Sequence, residues 1–281
     1  MATAPNGPGA PLPGAPLLGA ALLSVDRVSL QYRVPGRLVT AVHDVSFDVL
    51  TGDRFVLLGP SGCGKSSLLK AIAGFVRPSA GAIRLKGEAV REPGPDRMMV
   101  FQDLDQLLPW QTVAGNVVSA LRRAGGLARG PAEARAAEMI ERVGLAKFAD
   151  AYPHTLSGGM KQRAALARAL ALRPAMLLMD EPFAALDALT RATMQRELLG
   201  LSLDMALTVL FVTHSVEEAL LIGTRILVLS AHPGRVRAEF AGVAPDAPPA
   251  AKERLKQRIE ALVMASDHLA SNHMGEPSHA G

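Results

Sequence analysis

Gly59-Pro60-Ser61-Gly62-Cys63-Gly64-Lys65-Ser66 reads in full as G-x-x-x-x-G-K-S/T. Arg54 to Leu58 before it is a short apolar strand running into glycine, and Ser67 to Ala73 after it reads as a helix. Small residues let backbone N–H groups converge on phosphate oxygens, and a helix N-terminus adds favourable partial charge. The expected nucleotide contacts run from Gly59 through Pro60, Ser61, Gly62, Cys63, Gly64, Lys65 and Ser66 to Ser67. Lys65 is placed to reach the β- and γ-phosphates, and the Ser66 hydroxyl to ligate Mg2+. The bland alternative is a glycine-rich turn that binds nothing; the full match and its strand–helix context oppose it. By itself the loop points only to a nucleoside-triphosphate site and leaves kinases, GTPases, helicases and motors open.

Outward from the loop, Val25 to Tyr32 and Val42 to Val49 alternate apolar and polar residues, as half-buried strands do. Ile83 to Leu85, Met98 to Phe101, Met176 to Met179, Leu207 to Thr213 and Ile226 to Leu229 are further short strands. Between Pro109 and Leu170, Ala, Arg, Glu and Leu dominate at helical spacing, which predicts a mostly helical insert. Buried strands separated by helices give an α/β class with a mainly parallel sheet.

The chain has 281 residues, enough for one large α/β domain, and 49% are hydrophobic. No stretch reaches the roughly 18 apolar residues of a membrane helix. The best candidate, Ala219 to Ala231, is broken by Gly223, Thr224 and Arg225. A protein of this kind working at a membrane needs other chains to span it. A net charge of +4 is too small to argue for nucleic acid, and none is expected as partner. Residues 1–22 read as a disordered Pro/Gly/Ala-rich leader, since no basic residue precedes the apolar run and prolines interrupt it. The single cysteine, Cys63, excludes an intramolecular disulfide, and a cytoplasmic setting is expected. After Phe240 come a Pro/Ala linker, Ala244 to Ala251, and a short amphipathic helix, Lys252 to Met264, in a 241–281 tail that hydrolysis is not expected to need. The spacing of His268, His273 and His279 fits no metal motif.

Met176-Leu177-Leu178-Met179-Asp180-Glu181 is an apolar strand ending in two carboxylates. Asp180 is placed to hold Mg2+, usually through water, and Glu181 to polarise an attacking water. An ordinary strand ending in an acidic turn is the competing reading, and the phosphate loop upstream weighs against it. Leu156-Ser157-Gly158-Gly159-Met160-Lys161-Gln162-Arg163 opens a helix, Lys161 to Ala171, after two glycines. It is either a second anion-binding helix start or a simple N-cap by Ser157.

Taken together these segments resemble the ATP-binding cassette family, whose signature motif is L-S-G-G-Q; Met160 stands here in place of its last residue. The resemblance covers about Val25 to Phe240. It implies a RecA-like P-loop core with an antiparallel β subdomain, a helical subdomain over about 103–170, and a cassette spanning 23–240. In the family, backbone amides and the serine of the signature contact phosphate, which here would be Ser157, Gly158 and Gly159. The resemblance further assigns Gln102 as a glutamine reaching the metal and γ-phosphate, Ala185-Leu186-Asp187 as a dimer-contacting loop, His214 as a switch histidine and Tyr32 as the aromatic stacking on adenine. ATP and Mg2+ are the implied ligands.

Leu107-Leu108-Pro109-Trp110, the run from Asp180 to Arg191, and Pro233-Gly234-Arg235-Val236 look like the nitrate, sulfonate and taurine importer subfamily; Ala184 departs mildly, where Gly or Ser is more usual. That resemblance implies a peripheral ATPase at the cytoplasmic face of the inner membrane. Its partners would be a second copy of itself, separate transmembrane permease subunits and a periplasmic or lipid-anchored solute-binding protein. Trp110 would then either meet the permease or fill the core between subdomains. Another importer, an exporter, and a soluble cassette ATPase remain as alternatives. A small-molecule P-loop kinase would not require Leu156 to Gly159 together with His214.

Overall fold

The computed structural model describes residues 21–103, 105–244 and 247–272. In chain order its elements are β1 (Ala21–Val34), β2 (Arg37–Leu50), β3 (Arg54–Leu58), α1 (Lys65–Ala73), β4 (Ala80–Leu85), β5 (Glu88–Ala89) and β6 (Arg97–Val100). There follow α2 (Val113–Arg123), α3 (Arg129–Arg142), α4 (Gly158–Ala171), β7 (Met176–Asp180), α5 (Ala188–Asp204), β8 (Val209–Thr213) and α6 (Val216–Ile222). β9 (Arg225–Leu229), β10 (Val236–Ala241) and α7 (Pro249–Asn272) complete the fold.

Two sheets result. The smaller has the order β2-β1-β4-β5 and is antiparallel throughout. The larger runs β10-β9-β3-β8-β7-β6 and is parallel except for the edge strand β10. β7 and β8 are buried at every position, because layers cover both faces of the large sheet. One apolar cluster joins α1, the small sheet and one face of the large sheet, through residues such as Leu57, Leu68, Ile72, Val42 and Leu210. The other joins the opposite face to the helices, through Val56, Leu58, Met179, Phe211, Leu166 and Ile140. The parallel order carries β3, β8 and β7 side by side, so their C-terminal ends open onto one edge. Ligands of open parallel sheets gather at such an edge.

The tail differs from its sequence reading. Its helix is 24 residues long rather than short, and Pro249 to Ala251 of the expected linker already belong to it. Ile259 is fully buried in the helical-side core, with Leu255, Val263 and Phe240 packed against the same cluster. Lys256 pairs with Glu217 at 2.8 Å, fastening α7 to α6. Periodicity revealed the helix face but not the surface waiting for it. At the other end Ala21 and Leu22, counted with the leader, are the first residues of β1, and Leu22 is buried. The rest of the leader, together with His273 and His279, lies outside the described residues. No described helix is long and apolar enough to cross a membrane.

Candidate nucleotide site

The phosphate loop leaves β3 at Gly59 and enters α1 at Lys65. Gly64 sits at φ 94°, a left-handed conformation that glycine adopts without steric cost. A Cβ there would come within 2.6 Å of the Ala41 carbonyl oxygen, so the loop lies hard against β2. No side chain caps α1, which leaves the amides of its first turn free to meet an anion. Lys65 is almost wholly buried, and its ammonium donates to the carbonyls of Gly59 at 2.7 Å and Pro60 at 2.8 Å. The loop's own backbone thus holds the cation within its turn.

Two side-chain pairs lie at the strand ends. The Ser66 hydroxyl donates to the Asp180 carboxylate at 2.8 Å, bringing the loop to the tip of β7. Burial pushes the Asp180 pKa up, Ser66 opposes that shift, and the neighbouring Glu181 adds to it. These are hard oxygen donors in a site that favours an added cation, which fits Mg2+. Glu181 then turns off the strand with φ 43°, an uncommon conformation for a non-glycine residue. Its amide donates to the Val212 carbonyl at 3.1 Å, and its carboxylate meets His214 Nδ1 at 2.9 Å. A carboxylate beside an imidazole can receive a proton from water and be held in one orientation while doing so.

Among the described residues, no hydrogen bond links Gln102, Tyr32 or Ser157 to these pairs. Gln102 is exposed in the loop after β6. That loop is stapled by Gln106, whose amide bonds both the N–H and the carbonyl of Phe101, a role with no spacing signal in the sequence. Tyr32 is half-buried, opposite Val39 in the β1–β2 hairpin. Ser157 caps α4 by accepting from the Met160 amide at 3.4 Å, a contact that leaves the other amides of the first turn of α4 available. Gly159 packs so closely on α5 that a Cβ would approach Thr190 Cγ2 to 2.8 Å. Asp187 caps α5, its carboxylate accepting from the amides of Leu189 and Thr190. Arg191 braces the same loop by donating to the Phe183 and Leu186 carbonyls.

Cys63 belongs to the loop by its backbone, with its side chain turned away from it. Its thiol is fully buried in the small-sheet core, and burial pushes its pKa up despite the nearby lysine. Only its backbone faces the loop. A Cβ on Gly59 would lie 3.0 Å from this sulfur, so the thiol packs behind the loop rather than over it. Gly234 has a second function that its motif did not reveal. Its amide donates to the Ala41 carbonyl and its carbonyl accepts from the His43 amide, tying the large sheet to β2 behind the loop.

A free helix N-terminus, a buried lysine and two carboxylates lie at the parallel strand ends, and comparison with known proteins gives the family. Residues 42–184 match the ABC transporter family model. The taurine import ATP-binding protein TauB of Rhizobium johnstonii is 54% identical over 205 residues, 73% of this chain and 78% of that protein. The nitrate import ATP-binding protein NrtC of Synechococcus elongatus is 48% identical over 213 residues, 75% of this chain but 32% of that longer protein. The ATP-binding cassette MJ0796, solved as a dimer in a post-hydrolysis state bound to ADP and Pi, superposes with a TM-score of 0.69 at 29% identity, covering 79% of this chain and 99% of the other. The chain belongs to the ABC transporter family and is an ATP-hydrolysing subunit of it. Within the family it groups with the nitrate, sulfonate and taurine branch.

Proposed function

We propose that this chain powers an importer of a small anionic solute such as nitrate, a sulfonate or taurine. The hydrolytic part of the reading is supported by two contacts at one sheet edge, Ser66 with Asp180 and Glu181 with His214, and the import part by likeness to taurine and nitrate import ATP-binding proteins. ATP phosphates would take the backbone N–H groups of the loop between Gly59 and Ser67, Pro60 having none, and Lys65 would exchange its carbonyl partners for phosphate oxygens. Tyr32 would stack on the adenine. Ser66 and Asp180, joined by Gln102, would hold Mg2+, whose charge would offset that of the phosphates. Glu181 accepts a proton from the attacking water, and His214 steadies the γ-phosphate.

The second anion-accepting segment, Ser157 to Gly159, belongs in this reading to a second copy of the chain that closes over the nucleotide. Gln102 would report the γ-phosphate to the helical region, so that closure moves the permease. A cavity of about 450 Å3 lined by Phe75, Met98, Phe101, Leu108, Asn116 and Arg168 supports a docking groove for a permease helix. Trp110 is 70% exposed, which favours a partner contact over a core role. The working complex would sit at the cytoplasmic face of the inner membrane and receive solute from a periplasmic or lipid-anchored binding protein.

Uptake of labelled taurine, an alkanesulfonate and nitrate by cells lacking this chain tests the reading. Restoring the wild-type chain should return uptake of at least one solute, and the Lys65→Ala variant should not. A rise in solute retention when the chain is absent would indicate export and overturn the importer reading.

A further inference from the structure

Glu218 plays no part in the chemistry described above, yet it sits at the junction of three elements. One carboxylate oxygen accepts from the Thr213 hydroxyl at 2.5 Å, at the end of β8. The other accepts from the Gln195 side-chain amide at 2.9 Å, two turns into α5. Both donors are buried, Thr213 and Gln195 lying within the protein, while Glu218 itself is half-buried on α6. Thr213 is the residue before His214, and its hydroxyl also accepts from the Ser215 amide at 3.0 Å. Ser215 in turn caps α6 by accepting from the Glu218 amide at 3.2 Å. The carboxylate therefore holds the Thr213 side chain just before His214 and, through that hydroxyl, the Ser215 amide just after it. Gln195 leads the other way: α5 begins at Asp187, which caps it. A short cavity at the junction is lined by Glu181, Arg191, Thr213, His214 and Glu218.

We propose that Glu218 is a positioning residue that couples the Asp187 loop, through Gln195 on α5, to the orientation of His214 beside Glu181. The proposal rests on the reading of Glu181 and His214 as the hydrolytic pair and of the Asp187 loop as a contact with the second copy. A helix is a rigid element, so displacement of its capped end by a closing partner carries Gln195 with it. Glu218 has one oxygen on each side of the junction, and its shift is delivered to Thr213 and so to the adjacent histidine. Hydrolysis in one site is thereby made conditional on the arrival of the second copy. The two-acceptor geometry explains why a carboxylate occupies this position. A neutral amide offers one acceptor oxygen, and Gln195 must rotate its own amide to accept from the new N–H2.

The test is steady-state Mg-ATP hydrolysis, nucleotide affinity and thermal unfolding of the full chain with Glu218→Ala, Glu218→Gln, Gln195→Leu, the Gln195→Leu/Glu218→Ala double variant and His214→Ala. Misplacement near a reacting centre costs roughly 10- to 100-fold in rate, and that fall in kcat is expected for Glu218→Ala, with KM for ATP changed less than about twofold. Glu218→Gln is expected to recover most of the rate by amide rotation, which loss of packing alone would not allow. Gln195→Leu should also lower kcat, and adding it to Glu218→Ala should cost nothing more, because both sever one relay. Fold-losses that multiply in the double variant, or a kcat unchanged in Glu218→Ala, would overturn the relay. His214→Ala separates the two readings. If it is inactive while Glu218→Ala and Gln195→Leu turn over normally, the relay alone fails; if it turns over normally, the assignment of His214 fails first.

Discussion

Ile259 gives the strongest quantitative test of the architecture, because its helix was read from sequence as a dispensable tail. It is 0% exposed and lies in the core shared with α6 and β9, whereas Met264 on the same helix is 65% exposed. Truncating a buried isoleucine to alanine removes its transfer free energy and leaves a cavity, together costing about 2–5 kcal/mol, and Ile259→Val should cost about 0.5–1.5 kcal/mol. Met264→Ala should stay within about 0.5 kcal/mol of wild type. For a domain of this size each kcal/mol lowers the melting temperature by roughly 2–4 °C, so Ile259→Ala should melt roughly 4–20 °C early. Truncation after Ala244 also removes Leu255, Val263 and the Lys256–Glu217 pair, and should cost more than the point variant. The assay is thermal and urea unfolding of the nucleotide-free chain. An Ile259→Ala variant no less stable than Met264→Ala would refute the docking of α7 as a structural part of the cassette.

Two further outcomes follow from the loop and the β7 tip. Native protein should resist alkylation of Cys63 by a maleimide even without nucleotide, because the thiol is fully buried and its pKa is raised; mass spectrometry showing rapid labelling of the folded chain would contradict the packing. Asp180→Asn should abolish hydrolysis while stabilising the empty protein at pH 7. Burial raises the native carboxyl pKa, so ionised Asp180 costs stability that appears as pH rises above the unfolded value and is absent well below 3.8, where both forms are neutral. Melting curves in which Asp180→Asn is the less stable at pH 7 would show that the sign is wrong.

Most of the site was legible because its chemistry is local. Gly59 to Ser66 and Asp180-Glu181 each lie within one turn or strand end, where residue type and spacing constrain the backbone directly. What escaped the sequence depends on long-range contact. Glu218 gains its partners from residues on β8 and α5, and Gln106 staples a loop through backbone bonds that no pattern announces. The helix α5 carries Leu189 and Leu203 exposed and Gln195 buried, so it lacks the one-sided apolar stripe that marks an amphipathic helix. The direction of the Cys63 side chain was hidden for a related reason. Its position between Gly62 and Gly64 does not reveal that the loop's turn points its side chain inward, against Gly59 and the small sheet.

The central claim is that Glu181, held by His214, takes the proton of the attacking water. Glu181→Gln preserves size and shape and removes the base. Its most direct measurement is single-turnover hydrolysis of Mg-ATP alongside nucleotide affinity. The account predicts unchanged affinity, a hydrolysis rate lower by roughly 10²- to 10⁴-fold, and accumulation of an ATP-bound dimer on a sizing column. Near-normal turnover in Glu181→Gln would contradict it.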